Sequence, residues 1–217
     1  MMKRKKAEEI LREVGAIITG SHIVYTSGRH GRDYVNKDAV YPHTAIISDL
    51  CRNIAAHFVG YEPEVVVAPA IGGVILSQWV AHHLSHQLSP VASHDILAVY
   101  AEKADDGGFV IKRGYDKLVK GKRVLVVEDI LNTGGSVKKV VEAVRLIGGD
   151  VVGLGALCNR GGVTPKDVGD VPRLITLANV SMDSWTEDEC PMCASQVPIN
   201  TDVGKGREFL ARQKARV

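Results

Sequence analysis

Two kinds of hydrophobic pattern alternate along this chain. Continuous apolar runs rich in β-branched residues predict buried strands at residues 65–68, 96–100, 124–127, 151–157 and 174–177. Apolar residues at helical spacing predict helices at residues 44–58, 74–84 and 136–146. Strands that alternate with helices favour parallel pairing. The pattern therefore predicts an α/β fold, with a doubly wound, mainly parallel sheet flanked by helices.

The two ends of the chain break this alternation. Residues 10–14 have the spacing of a short amphipathic helix that stops at Gly15, and residues 17–36 favour irregular strand and loop. The charged end of the chain predicts a helix over residues 206–216. We predict a single domain over residues 1–217, with an N-terminal elaboration at about 1–40, a core at about 41–180 and a C-terminal elaboration at about 181–217.

Composition and charge narrow the class of protein. Apolar residues make up 45% of the 217 residues and charged residues 24%, as in ordinary globular proteins, which excludes a disordered chain. The net charge of +2 does not favour a nucleic-acid partner. The longest apolar run, residues 65–76, is broken by Pro and Gly and is too short to span a membrane. With no apolar signal segment after the basic start, and four cysteines that make no disulfide framework, we expect a cytoplasmic protein.

The segment at residues 124–136 carries the clearest chemistry. A hydrophobic strand is followed by two adjacent carboxylates, Glu128 and Asp129, and by a turn that opens a helix. In open α/β sheets, ligands bind beyond the carboxyl ends of strands, and a helix N-terminus favours phosphate. Carboxylates suit a neighbouring diol or a metal, although two acids alone could also be a helix cap. A site for a phosphate beside a site for a diol indicates a ribose 5-phosphate as the ligand. The small and polar residues of the turn are Asn132, Thr133, Gly134, Gly135 and Ser136.

This segment resembles the phosphoribosyl pyrophosphate (PRPP) binding motif of type I phosphoribosyltransferases. Further stretches at residues 14–17, 25–29 and 33–36 resemble the N-terminal hood of the orotate phosphoribosyltransferases, which places the hood at about residues 1–40. Residues 65–74 resemble the pyrophosphate loop of those enzymes. The resemblance covers about residues 7–160.

The resemblance implies an enzyme that transfers 5-phosphoribosyl from PRPP to a nitrogenous base and releases pyrophosphate. Orotate, which would give orotidine 5-phosphate, is the expected base; a purine or another base is the alternative, as is a catalytically weak PRPP-binding regulator. The resemblance also implies Mg²⁺ as cofactor and a homodimer, with PRPP and the base as small-molecule partners.

The same resemblance implies roles for individual residues. Glu128 and Asp129 would hold the ribose hydroxyls. The catalytic residues would be these two carboxylates and Lys103. Asp129 would also meet the metal indirectly, through Mg–PRPP. Asn132, Thr133, Gly134, Gly135 and Ser136 would hold the 5-phosphate. The pyrophosphate would meet the backbone of Ala70, Ile71, Gly72 and Gly73.

The loop at residues 101–114 departs from the family pattern. Lys103 fits one basic position, but Asp105 occupies the place expected for the principal catalytic lysine, and no His follows. Lys112 and Arg113 are the alternatives for contacting pyrophosphate from the far side of the loop. Which of these cations serves the reaction stays open at this point.

Two further features concern the base and the cysteines. The carboxylate of orotate needs a cation, and we expect Arg29 and Arg160 to bind the base, with Arg32 and Lys37 as further candidates. Cys190 and Cys193 form a CxxC pair that is foreign to the family. A structural zinc ion needs four ligands, which a second copy of the pair, Cys158 or a His could complete. A metal-free turn is the expectation.

Overall fold

The computed structural model describes residues 6–88 and 95–215. The chain divides into two compact units. The smaller unit joins Met1–Pro42 with Ser181–Val217, and the larger unit is His43–Val180. The expected hood and the expected C-terminal elaboration thus belong to one unit. Within the described ranges, no helix combines the length and the apolar character needed to cross a membrane.

The helices and strands alternate through the middle of the chain. The α-helices are α1 (Ala7–Glu13), α2 (Thr44–Phe58), α3 (Val74–Leu88), α4 (Tyr115–Val119), α5 (Gly135–Leu146), α6 (Pro191–Ala194) and α7 (Gly206–Lys214). The strands are β1 (Ile17–Ile18), β2 (Ile23–Val24), β3 (His30–Gly31), β4 (Tyr34–Val35), β5 (Val65–Pro69), β6 (Leu97–Lys103), β7 (Phe109–Val110), β8 (Arg123–Leu131), β9 (Asp150–Asn159), β10 (Leu174–Asn179) and β11 (Ser184–Trp185). Short 3₁₀ helices lie at Lys37–Ala39, Val59–Tyr61 and Pro165–Val168.

The larger unit is built on a six-stranded sheet in the order β10-β9-β8-β5-β6-β7. The strands from β10 to β6 pair in parallel, and β7 pairs antiparallel with β6. All five residues of β5 are buried, as expected for a central strand covered on both faces. The predicted α/β fold with a mainly parallel sheet is confirmed.

Helices cover both faces of this sheet. On one face, Val137, Val140 and Val144 of α5 pack in a cluster with Val65 of β5 and Val126 of β8. On the other face, α2 lies against β9, where a Cβ on Gly155 would fall 2.5 Å from Ile54 Cγ2. The glycines of β9 therefore admit a close helix, and this packing explains the Gly-x-Gly sequence of that strand.

The strand that carries the acidic pair is longer than predicted. It was expected over residues 124–127, with the carboxylates after its end, but β8 continues to Leu131. The reason is its pairing with β9, where Glu128 lies opposite Ala156 and Leu131 opposite Asn159. Glu128 and Asp129 are thus held by the sheet itself.

The smaller unit brings the two ends of the chain together. Its three-stranded sheet has the order β11-β3-β2, and β1 pairs with β4. Tyr25 donates from its hydroxyl to the Asp33 carbonyl at 2.6 Å, and its ring lies where a Cβ on Gly31 would be. The irregular strands predicted for residues 17–36 are confirmed. The predicted terminal helix ends at Lys214; its last expected residue lies outside the described residues.

Candidate active site

The acidic pair is buried near the carboxyl end of β8. Glu128 is 7% exposed and Asp129 6%. Glu128 Oε1 accepts a hydrogen bond from the Asp129 amide at 3.0 Å, and Asp129 Oδ1 accepts one from the Ile130 amide at 2.6 Å. Burying ionised carboxylates is costly unless donors or cations compensate. The pair is therefore fixed in direction and suited to a ligand that donates hydrogen bonds.

The turn after β8 leads directly into the N-terminus of α5. Gly134 has φ +76° and caps the helix, which begins at Gly135. Thr133 Oγ1 accepts a hydrogen bond from the Gly135 amide at 3.4 Å. Asn132, Thr133 and Ser136 are exposed. The first amides of a helix lack partners within the helix and attract anions, so this turn can hold a phosphate. Residues 132–136 are called the phosphate turn below.

The loop after β9 supports this turn. The Leu131 carbonyl accepts hydrogen bonds from the amides of Arg160 and Gly161, at 2.9 and 3.3 Å. Asn159 closes the loop with two bonds, from its Nδ2 to the Val163 carbonyl at 2.9 Å and from the Val163 amide to its Oδ1 at 3.0 Å. Sequence reasoning missed Asn159 and Gly161. The signal available was the Gly161-Gly162 pair two residues after a buried strand.

The loop at residues 70–73 lies at the same sheet edge as the acidic pair. It follows β5, which pairs in parallel with β8. The Ala70 amide donates to the Ala101 carbonyl at 2.8 Å, and the Gly73 amide to the Pro69 carbonyl at 3.0 Å. These two amides are therefore engaged within the fold, and the role of residues 70–73 in binding pyrophosphate stays a prediction. The side chain of Ile71 is 89% exposed, and the Ala70–Ile71 peptide bond is cis.

Lys103 ends β6, the other neighbour of β5. Ala101 lies opposite Pro69 in that pairing, so Lys103 extends two residues past Pro69, the last residue of β5 before the 70–73 loop. It also lies opposite Phe109 in the hairpin of β6 and β7, and it is exposed. Lys103 is therefore at the same edge of the sheet as the acidic pair.

The two alternative cations of the hairpin differ in their contacts. Arg113 Nε donates to Glu102 Oε1 at 2.5 Å, and this carboxylate raises the pKa of Arg113 above its usual value. Lys112 is exposed. At the hairpin tip, Lys139 Nζ of α5 donates to the Gly107 carbonyl at 2.6 Å. The hairpin is thus attached to the helix that begins at the phosphate turn.

The two arginines expected to bind the base belong to different units. Arg160 follows β9 in the larger unit and is half-buried. Its amide donates a hydrogen bond to the Leu131 carbonyl. Arg29 belongs to the smaller unit, where its guanidinium donates to Ser184 through Nε to Oγ at 3.0 Å and through Nη2 to the carbonyl at 2.6 Å. Arg160 is therefore beside the phosphate turn, and Arg29 is engaged by β11.

Comparison with known proteins agrees with this geometry. The model of the phosphoribosyl transferase domain family matches residues 36–191. Orotate phosphoribosyltransferase of Caldanaerobacter subterraneus subsp. tengcongensis is 34% identical, over 91% of this chain and 96% of its own. The orotate phosphoribosyltransferase of Pelotomaculum thermopropionicum is 36% identical, over 91% of this chain and 95% of its own. The solved orotate phosphoribosyltransferase of Mycobacterium tuberculosis H37Rv, 24% identical, has a TM-score of 0.62 over 80% of this chain and 94% of its own, which supports the fold.

Proposed function

Because the chain belongs to the phosphoribosyl transferase domain family, we propose that it transfers 5-phosphoribosyl from PRPP to orotate, giving orotidine 5-phosphate and pyrophosphate. The observation that carries the proposal is the placement of two buried carboxylates beside a glycine-containing helix N-terminus at one sheet edge. The choice of orotate rests on the relatives, which match over nearly the whole chain.

The sugar phosphate is held by two adjoining groups of atoms. The turn at residues 132–136 offers amides and the Thr133 and Ser136 hydroxyls to the 5-phosphate. Glu128 and Asp129 accept hydrogen bonds from the ribose hydroxyls. As the base nitrogen bonds to the anomeric carbon and the bond to pyrophosphate breaks, positive charge develops on the ring. Carboxylates that hold the ribose hydroxyls would also stabilise that charge.

The leaving pyrophosphate needs cations and a dry site. Lys103 is the residue of the hairpin best placed for this role, because it ends a strand beside the 70–73 loop. Arg113 is less suited, since its guanidinium already pairs with Glu102. The hairpin at residues 101–114 would cover the bound substrate and exclude water, which favours transfer to the base over hydrolysis.

A divalent metal ion fits the donor set of the acidic pair. Mg²⁺ prefers oxygen ligands and binds through one or two carboxylates together with substrate phosphates. Glu128 and Asp129 have buried carboxylate oxygens beside the phosphate turn. Asp129 would meet the ion indirectly, through bound PRPP. When bound, Mg²⁺ supplies charge neutralisation for the pyrophosphate. A homodimer and a cytoplasmic location remain predictions from the sequence.

The carboxylate of orotate calls for a bidentate cation. Arginine has the planar fork that matches a carboxylate. Arg160 adjoins the phosphate turn through its backbone, and Arg29 is the second candidate by resemblance to the hood.

The experiment that tests this function measures pyrophosphate release from PRPP and Mg²⁺ with a panel of bases. Release is expected with orotate and is expected to be far weaker with uracil, which lacks the carboxylate. Release with hypoxanthine, guanine or adenine but not with orotate would overturn the choice of base and leave phosphoribosyl transfer standing.

A further inference from the structure

Four metal-ligating side chains meet in the smaller unit. His22, His30, Cys190 and Cys193 each offer one ligand atom, and these four atoms all lie within 4.8 Å of one another. His22 precedes β2 and His30 lies in β3, whereas Cys190 caps α6 and Cys193 lies within it. The cluster therefore joins the start and the end of the chain. It shares no residue with the candidate active site.

The distances within the cluster match a tetrahedral zinc site. Zn–S bonds of ~2.3 Å and Zn–N bonds of ~2.05 Å place S and N about 3.6 Å apart, and two N atoms about 3.3 Å apart, in a tetrahedron. Cys190 Sγ is 3.7 Å and Cys193 Sγ 3.6 Å from His22 Nε2, and Cys193 Sγ is 3.3 Å from His30 Nδ1. The two ring nitrogens are 2.9 Å apart. These four distances differ from those of a tetrahedral zinc site by no more than a few tenths of an ångström, and all pairs lie within 4.8 Å.

The ring of His22 is held in the orientation that ligation requires. His22 Nδ1 lies 2.7 Å from the Val197 carbonyl, which can only accept, so Nδ1 carries the proton and Nε2 presents its lone pair to the cluster. Such a bond from the second ring nitrogen is usual for a metal-bound histidine. The His30 ring packs edge-to-face with Phe209 of α7, with 4.9 Å between ring centroids.

We propose that His22, His30, Cys190 and Cys193 bind one structural zinc ion. Two nitrogens and two sulfurs in a tetrahedron favour Zn²⁺ over oxygen-seeking cations, and four protein ligands leave no open position for catalysis. Binding converts both thiols to thiolates and releases two protons, so the site becomes electrically neutral. The buried position of His22, His30 and Cys190 suits a neutral centre.

The smaller unit has a physical need for such a site. Small units bury too little apolar surface to be strongly stable by packing alone, and metals or disulfides commonly compensate. The ion would tie the β2–β3 region to α6, across more than 150 residues of chain, which restricts the unfolded state. The sequence expectation was a metal-free turn. Of the further ligands that the sequence offered, the cluster contains two histidines, His22 and His30, and it does not include Cys158.

The test measures zinc in the full-length protein, purified under reducing conditions from cells supplied with zinc and passed over a weak chelator. Elemental analysis is expected to find about one zinc per chain. The C190S/C193S double variant should lose it, and Cys51→Ala, which removes a buried cysteine of α2 outside the cluster, should retain it. Wild-type protein without zinc, zinc retained by the double variant, or a Cys190–Cys193 disulfide found by mass spectrometry would each overturn the proposal.

A second measurement covers the case in which the double variant fails to fold. Wild-type chain refolded with Co²⁺ in place of Zn²⁺ should show thiolate-to-cobalt charge-transfer absorption and the intense visible bands of tetrahedral Co²⁺. Zinc added afterwards should abolish both signals. Octahedral Co²⁺ spectra without the thiolate bands would contradict the assignment of these ligands.

Discussion

Gly161 lies so close to Asn132 that a Cβ atom at position 161 would fall 1.5 Å from the Asn132 carbonyl oxygen. The contact joins the loop after β9 to the turn that opens α5. The Asn132 carbonyl oxygen is a main-chain atom, and the position of a Cβ at residue 161 is fixed by the main chain. A side chain at position 161 therefore cannot be accommodated by a rotamer change. The phosphate turn itself would have to move.

The first prediction follows from this contact. Gly161→Ala should weaken PRPP binding about ten- to hundredfold, because overpacking costs about 1–3 kcal/mol and here displaces the turn that we propose holds the 5-phosphate. Isothermal titration calorimetry with PRPP and Mg²⁺ measures the effect. Gly60→Ala is the matched control, since a Cβ there meets open space. Equal PRPP affinity in the two variants would show that the contact does not shape the site.

The second prediction concerns the acidic pair. Asp129→Asn should bind PRPP about ten- to hundredfold more weakly, since a hydrogen bond to a charged group contributes about 1.5–3 kcal/mol. Asp150→Asn, at the exposed start of β9, makes the same chemical change away from the site and should bind normally. If calorimetry gives Asp129→Asn the wild-type affinity, the pair acts only as a local cap.

The third prediction separates the cations of the hairpin. Lys103→Ala should lower kcat more than it weakens PRPP binding, because the proposed contact of Lys103 with the departing pyrophosphate would strengthen in the transition state. Lys112→Ala is the charge-matched comparison and should have the smaller effect. Steady-state kinetics gives the change in kcat, and titration with PRPP gives the change in PRPP affinity. If Lys112→Ala or Arg113→Ala has a strongly lowered kcat while Lys103→Ala has the wild-type kcat, the contact with pyrophosphate belongs to the far side of the hairpin.

The fourth prediction concerns the attachment of the hairpin tip. Lys139→Met removes the bond to the Gly107 carbonyl and should speed amide exchange at residues 104–108 about 2- to 10-fold, as expected for one hydrogen bond of roughly 0.5–1.5 kcal/mol. Lys138→Met, one residue earlier in α5, controls for the lost charge. Identical hydrogen–deuterium exchange in the two variants would mean that Lys139 does not restrain the tip.

The central sheet could be predicted from sequence because its signals are local. The helix at residues 44–58 was predicted with the bounds that α2 has, and the β-branched runs located the buried strands. The extension of β8 through Glu128 and Asp129 could not be predicted, since it depends on pairing with β9. Strand ends depend on partners that a single sequence does not identify.

The candidate site was predictable where its residues are contiguous. Residues 128–136 form one segment, so their pattern alone indicated phosphate beside diol. The contact of Gly161 with Asn132 joins separate segments, and so does the approach of His22 and His30 to the CxxC pair. Such contacts exist only in the folded chain.

The most direct test of phosphoribosyl transfer follows both products of one reaction mixture. Wild-type protein with PRPP, Mg²⁺ and orotate should form orotidine 5-phosphate, identified by mass spectrometry, in equal amount to the pyrophosphate released. Tight PRPP binding with no nucleotide formed from orotate or any other base would contradict the account and indicate a PRPP-binding regulator.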